Sequence, residues 1–174
     1  AVDQSGVLVV NGHPLSVAGA MTVANSGRFV MTNPADSVDV GGLFSATSAT
    51  SSSGDLTQGV LFLRGGLAQG NSSLSFAPSG SHRVRFGGAA AQSITFAYPA
   101  SSGFNLAEFA DAAGVTAASD FAVASTATVV SGTVTGNGHG ATLAGTLQDA
   151  GGNGWRMDTT TFTASPGTMP DSMH

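Results

Sequence analysis

The chain contains neither cysteine nor lysine among its 174 residues. Without cysteine there is no disulfide framework and there are no thiolate metal ligands. Without lysine there are no Lys–Asn isopeptide cross-links. The stability of the fold must therefore come from packing and hydrogen bonding alone.

Charge is also scarce, because charged residues make up only 9% of the chain. Ten acidic residues against five arginines give a net charge of -5, which argues against nucleic acid as a partner, since phosphate binding needs clustered cations. The solvent-facing surface must be built mainly from Ser, Thr, Asn, Gln and Gly. Such a surface is unusual for a cytosolic protein and favours an extracellular location.

Residues 121–148 carry no charge, so a membrane span has to be considered. The stretch also contains Asn137, His139, several Gly and many Thr and Ser, and its apolar residues alternate instead of running continuously. We therefore expect no membrane insertion. No signal peptide is visible, and a start at Ala1 suits either a mature exported chain or a segment of a longer one.

One short pattern recurs four times, and each start lies 23 positions after the last. The four copies read LSVAGAM from residue 15, VDVGGLF from residue 38, LFLRGGL from residue 61 and VRFGGAA from residue 84. An apolar residue at every second position is typical of a strand with one face on a core. Recurrence at a fixed period, with turn residues between the copies, predicts a β-solenoid in which each coil lies on the one before.

The corners and the later coils are less regular. Asn11-Gly12 and the segment from Asn33 to Asp36 predict turns, since Asn-Gly accepts positive φ and Pro34 cannot donate to a ladder. The tract 45–55 predicts a surface excursion. Beyond Ala90 the spacing of 23 lapses, and residues 104–113 fit either a helical turn or a wall strand with Phe104 and Leu106 inward, of which the strand is favoured.

A second match links the two ends of the chain. Residues 137–147 (NGHGATLAGTL) repeat residues 11–21 (NGHPLSVAGAM) at an offset of 126. The match predicts that one coil unit opens the chain and returns near its end, with His13 and His139 at equivalent turn positions.

These residues resemble the repetitive β-solenoid segments of bacterial cell-surface and secreted proteins, such as adhesins and autotransporter passenger regions. The similar segments are GVLVVNGH at 6–13, SHRVRFGG at 81–88 with QSITF at 92–96, GVTAASD at 114–120 and SGTVTGNGH at 131–139. The resemblance implies a right-handed, single-stranded parallel β-helix that acts as a stalk, spacer or binding surface. It implies no specific ligand, and the chain shows neither a C-terminal transporter barrel nor a cell-wall anchor.

A possible ligand groove involves three outward positions of the repeat. Asp39, Phe62 and Arg85 share one register position in successive coils, so Asp39 and Arg85 stand about 10 Å apart with the aromatic ring between them. Asp36 and Arg83 are further candidates for the same groove. A ring flanked by opposite charges could hold a sugar, although outward charges that keep a wall soluble are more common.

Other chemistry is sparse. His13 and His139 lie many coils apart without a third ligand, so no metal and no cofactor are expected. No nucleophile elbow and no phosphate loop are present. Trp155, the single Trp, follows a Gly-rich break and is predicted to cap the apolar end of the stack.

The sequence thus predicts an all-β, single-domain β-solenoid over residues 1–174, with coils of about 23 residues, either as a whole chain or as a segment of a longer surface protein. The expected function is an extracellular structural or adhesive module of a bacterial surface or secreted protein, without enzymatic activity. Its expected partners are flanking domains of a parent protein or like subunits, with surface glycans as a further candidate. Two alternatives remain open, namely a carbohydrate-binding or polysaccharide-cleaving β-helix and a subunit that polymerises into a surface fibre.

Overall fold

The computed structural model describes residues 1–150 and 154–163, and over these it is all-β. Its strands in chain order are β1 (Val7–Val9), β2 (Pro14–Val17), β3 (Met21–Asn25), β4 (Arg28–Val30), β5 (Ser37–Val40), β6 (Phe44–Ser48), β7 (Val60–Leu63), β8 (Leu67–Gln69), β9 (Arg83–Phe86), β10 (Gln92–Phe96), β11 (Phe104–Ala110), β12 (Val115–Ala117), β13 (Phe121–Ser131), β14 (Thr133–Thr135), β15 (Gly140–Leu143), β16 (Thr146–Asp149), β17 (Gly154–Arg156) and β18 (Thr159–Phe162).

The strands stack in parallel on three walls, and the chain visits the walls in the same order in every coil. The front wall consists of β2, β5, β7, β9, most of β11, the second part of β13, and β16. The back wall consists of β3, β6, β8, β10, β12, β14 and β17. The side wall begins with β1 and β4 and ends with the first part of β13, β15 and β18. The predicted β-solenoid is therefore confirmed, with about seven coils.

The four-fold sequence repeat corresponds to the front wall and its corner. Val17 pairs with Val40, Val40 with Leu63 and Leu63 with Phe86, so each pairing advances 23 residues, as predicted. The glycines of the repeat turn the chain from the front wall to the back wall. A Cβ on Gly65 would lie 2.4 Å from the carbonyl carbon of Gly42 in the coil below, so this corner closes only without a side chain.

The core is a column of alternate side chains along each wall. On the front wall, Val40, Leu63 and Phe86 are fully buried, whereas Val17 in the first coil is only partly buried. Aromatic rings run through the stack with neighbouring centroids 5.2–6.3 Å apart. A continuous path of ring contacts joins Phe29, Phe44, Phe76, Phe104, Phe121 and Trp155.

The coils shorten in the second half of the chain. Thr126 pairs with Thr146, which is an advance of 20 residues instead of 23. The change lies at the corner between the side and front walls. Six residues (31–36) separate β4 from β5 there, but only two (144–145) separate β15 from β16. The prediction that the period lapses beyond Ala90 is wrong for the front wall, which keeps the advance of 23 as far as β11, where Arg85 pairs with Glu108. The shorter advance begins between β11 and β13.

Two predictions about local structure need correction or completion. Residues 104–110 form strand β11, as favoured, and Phe104 is buried, but Leu106 is only partly buried because a register shift falls between these two residues. The predicted excursion at 45–55 begins later, since residues 44–48 form β6 with Ala46 and Ser48 buried.

The match at an offset of 126 does not mark equivalent coils. Asn11-Gly12 turns the chain from the side wall to the front wall, whereas Asn137-Gly138 turns it from the back wall to the side wall. Both Asn residues do adopt positive φ (55° and 50°). An Asn-Gly pair indicates a turn with positive φ, but it does not indicate which walls the turn joins. The prediction of equivalent coils was wrong for this reason.

Residues 121–148, considered above as a membrane span, form β13 to β15 and most of β16. Within the described residues, no helix is long and apolar enough to cross a membrane.

Candidate functional site

The outward face of the front wall carries a cluster of aromatic and charged side chains, which we call the front platform. It consists of Asp39, Phe62, Arg64, Arg83, Arg85 and Glu108. These side chains face outward because they alternate with the buried columns of β5, β7, β9 and β11. The wall therefore fixes their spacing along the stack at about 4.8 Å per coil.

Asp39 and Arg64 form a two-point ion pair at one end of the platform. Arg64 donates from Nε to Oδ1 and from Nη2 to Oδ2 of Asp39, both at 2.7 Å. These hydrogen bonds lower the pKa of Asp39 and raise that of Arg64. Asp39 is therefore held as a carboxylate, which makes it unsuitable as a general acid near neutral pH.

Phe62 and Arg85 occupy the centre of the platform. The guanidinium carbon of Arg85 lies 5.6 Å from the centroid of the Phe62 ring, within the range of a cation–π contact. Nε of Arg85 also lies 3.1 Å from Oε1 of Glu108 in an ion pair, and Nη1 of Arg83 donates to Oε2 of the same carboxylate at 3.4 Å. Glu108 thus serves as the common partner of two arginines.

The strand register places the three predicted groove residues together. Asp39 pairs with Phe62, and Phe62 pairs with Arg85, so the ring lies between the two charges as the repeat predicted. Arg83 belongs to the same cluster. Asp36 does not, because it is buried at a corner where it accepts hydrogen bonds from the backbone N–H groups of Gly12 and Asn33.

Sequence reasoning missed Arg64 and Glu108. Arg64 is the fourth residue of the repeat copy LFLRGGL but lies one residue beyond β7, so the strand register gives it no paired residue. Alternation, which places Arg64 on the same face as Phe62, was the available signal. Glu108 lies in β11, whose sequence also fitted a helical turn. The offset of 23 between Arg85 and Glu108 was the available signal, because it places the two residues at one outward position.

An open hollow of about 530 Å³ lies beside Phe62. Its lining residues are Phe62, Arg64, Arg85, Gly87, Gly88, Ala89 and Ala110. A second hollow, of about 430 Å³, continues along the front wall beyond Arg83 and Glu108. Together the two hollows flank the charged centre of the platform.

The two histidines considered as metal ligands are far from each other in the stack. His13 follows the turn into β2, and His139 follows the turn into β15, where its Nδ1 lies 3.6 Å from Asp120. Among residues 1–150 and 154–163 there is no group of three or more His, Asp or Glu side chains that could hold a metal ion.

Trp155 lies in β17, in the last described coil of the back wall. Its ring packs against Phe109 and Phe121 at centroid distances of 5.9 and 6.2 Å, and its Nε1 donates to Oγ1 of Thr160. The side chain is therefore part of the apolar stack. Its role as an end cap stays a prediction, since residues 151–153 and 164–174 lie outside the described residues.

Comparison with known proteins gives no relative: no family model, no curated protein and no solved structure matches this chain.

Proposed function

We propose that this chain is a non-enzymatic structural and adhesive module of an extracellular bacterial surface or secreted protein. One observation carries the proposal. The buried interior is mainly a stack of apolar side chains, and the front wall presents a platform of one aromatic ring and paired charges. Such an arrangement provides a rigid spacer with a surface that can bind a partner.

The extracellular location is supported by composition. Charged residues make up 9% of the chain, and lysine and cysteine are absent. The wall positions that face solvent are therefore largely hydroxyl and small side chains. A rigid stack that needs neither disulfides nor metal ligands would suit exposure outside the cell.

The spacing of the carboxylates supports a binding role over hydrolysis. Glycoside hydrolases commonly need two carboxyl groups about 5–9.5 Å apart, one of them protonated. On the platform, Asp39 and Glu108 share one outward position three coils apart, which is about 14 Å at the usual strand spacing. The pKa of Asp39 is moreover lowered by Arg64. Neither the distance nor the protonation state favours this chemistry.

Glycans are the partner that the platform fits best. Phe62 offers an apolar ring, and the neighbouring arginines offer hydrogen-bond donors that can orient hydroxyl or carboxylate oxygens. A carbohydrate-binding role is therefore included in the proposed adhesive function. End-to-end association with like subunits is the alternative, and the partly exposed Leu8, Leu15 and Val17 of the first coil favour it.

A glycan array combined with a reducing-sugar assay tests the proposal. We expect the labelled protein to bind a subset of glycans without releasing reducing ends, and Phe62→Ala to lose most of that binding. Thr22→Ala, on the back wall, is the matched control and should bind like the parent protein. Release of reducing ends that disappears in Asp39→Ala would replace the adhesive function with an enzymatic one.

A further inference from the structure

The lining of the hollow beside Phe62 combines cationic and small residues. Arg64 and Arg85 contribute charge, and Phe62 contributes an aromatic ring. The other lining residues are Gly87, Gly88, Ala89 and Ala110. These small residues let a ligand ring approach the backbone closely, while the arginines and the ring provide the groups that would select it.

The charge of the platform has the opposite sign to that of the chain. Three of the five arginines, Arg64, Arg83 and Arg85, lie here against two carboxylates, Asp39 and Glu108. The cluster thus carries one net positive charge in a protein of net charge -5. An anionic group that approaches this wall meets a favourable local field.

The arginines retain donors for a ligand. A guanidinium group has five N–H donors. Nε of Arg85 faces Glu108 in an ion pair, and the Arg85 side chain is 42% exposed, so its two Nη groups can donate to a ligand beside the hollow. Arg64 uses Nε and one N–H of Nη2 for Asp39, which leaves Nη1.

We propose that this hollow binds a carboxylate-bearing sugar residue, such as a uronic acid within a polysaccharide. The carboxylate accepts hydrogen bonds from Arg85 and Arg64, and the carbon face of the sugar ring lies against Phe62 and the Gly87-Gly88 backbone. A small inorganic anion could use the arginines but would leave the apolar part of the hollow unfilled. The inference rests on the proposed adhesive function and names the class of glycan that the function recognises.

The second hollow extends this binding surface along the wall. It begins at Arg83 and Glu108 and continues to Thr126, Thr128 and Gln148 in the next coils. Hydroxyl and amide groups at these outward positions can bind further sugar hydroxyls. An oligosaccharide should therefore bind more tightly than a single uronic acid residue.

Calorimetric titration with trigalacturonate tests the proposal, with its methyl ester as the matched neutral probe. We expect trigalacturonate to bind at least about tenfold more tightly than its methyl ester. Added NaCl should weaken the binding of trigalacturonate but not that of the ester. Inorganic phosphate is the anion control and should bind far more weakly than the trisaccharide.

Substitution of the two arginines of the hollow tests whether trigalacturonate binds there. Arg85→Gln and Arg64→Gln should each weaken trigalacturonate binding about tenfold, while Arg156→Gln, an exposed arginine of β17, should not change it. Far-UV spectra and melting temperatures of all variants show whether each one is folded.

Three results would overturn the inference, and they are distinguishable from a failure of the proposed function. If trigalacturonate and its ester bind equally well and Phe62→Ala loses both, the site does not select acidic sugars. The proposed glycan adhesion would still hold. Binding of acid that is unchanged in both Arg64→Gln and Arg85→Gln would place the site elsewhere. If no trisaccharide binds at millimolar concentration, the inference fails, and the glycan array alone decides the adhesive function.

Discussion

At the scale of single residues, the polar side chains fall into two groups with different energetic roles. The platform charges are partly exposed, so their ion pairs are screened by water and contribute little to stability. Other polar side chains are buried at the corners. Gln92 accepts from the N–H of Gly66 and donates to Asp111, which in turn accepts from the N–H of Ala113. Such a buried network is costly to interrupt.

Substitutions in the two groups should lower the free energy of unfolding by different amounts. Asp111→Ala leaves a buried amide donor of Gln92 without its acceptor and should lower the free energy of unfolding by about 1–3 kcal/mol. Asp39→Ala and Arg85→Ala should each cost less than about 1 kcal/mol. Urea unfolding of the three variants beside the parent protein measures the difference. Equal costs for Asp111→Ala and Asp39→Ala would contradict the distinction.

A buried histidine predicts a dependence of stability on pH. His82 is fully buried, its Nδ1 lies 2.9 Å from the carbonyl oxygen of Gln58, and its Nε2 has no partner within the described residues. Burial lowers the pKa of His82, with the Gln58 carbonyl and the charge of Asp36 opposing the shift. The folded protein therefore binds this proton less readily than the unfolded chain does.

This difference removes stability as the pH falls. Above about pH 6.5 both states are neutral at His82, and the histidine adds no pH dependence. Below that value the unfolded chain gains the proton first, so the free energy of unfolding should decrease. Urea unfolding between about pH 7 and pH 5 should show a steeper decrease for the parent protein than for His82→Leu. Exposed His13→Ala is the control and should keep the parental slope, whereas identical slopes for all three proteins would contradict the assignment.

At the scale of the strand, side-chain alternation in β5 separates core from surface within one residue. Val40 is fully buried between Val17 and Leu63, and Asp39 points outward. Val40→Asp places a charge in an apolar column and should lower the free energy of unfolding by about 3 kcal/mol or more. Asp39→Val should still fold, with a greater tendency to associate. Soluble yield and melting temperature distinguish the two variants.

The reverse result would show that β5 faces the other way. If Asp39→Val were the damaging change and Val40→Asp were tolerated, the stack would be wrong in register. If both were harmless, residues 38–44 would not form a buried strand at all.

The same alternation explains what the sequence could predict. The period of two identified the columns of Val40 and Asp39, and the constant spacing of 23 stacked them correctly through Phe86. Alternation carries no information on the length of a corner, so the later coils of 20 residues could not be inferred. Leu106 was misplaced because a register shift after Phe104 interrupts the period.

The platform was predictable to the same extent. Asp39, Phe62 and Arg85 lie within the repeat, so their shared position followed from spacing. Arg64 joins them from the loop after β7, and its ion pair depends on a corner whose path only the structure gives.

At the scale of the whole molecule, equivalent positions rise by one strand spacing per coil in spite of the change in coil length. Ser16 lies five pairings from Thr128 and six from Gln148 along the outward face of the front wall. At about 4.8 Å per coil, these separations are about 24 Å and 29 Å. Because the chain has no cysteine, introduced cysteines would be the only attachment sites for spin labels.

Distance measurement by pulsed electron paramagnetic resonance on two double variants tests this claim most directly. Ser16→Cys with Thr128→Cys should give a narrow distribution of distances at about 24 Å. Ser16→Cys with Gln148→Cys should give a distance about 5 Å longer. Broad distributions, or a second distance equal to or shorter than the first, would contradict the three-walled stack of shortening coils.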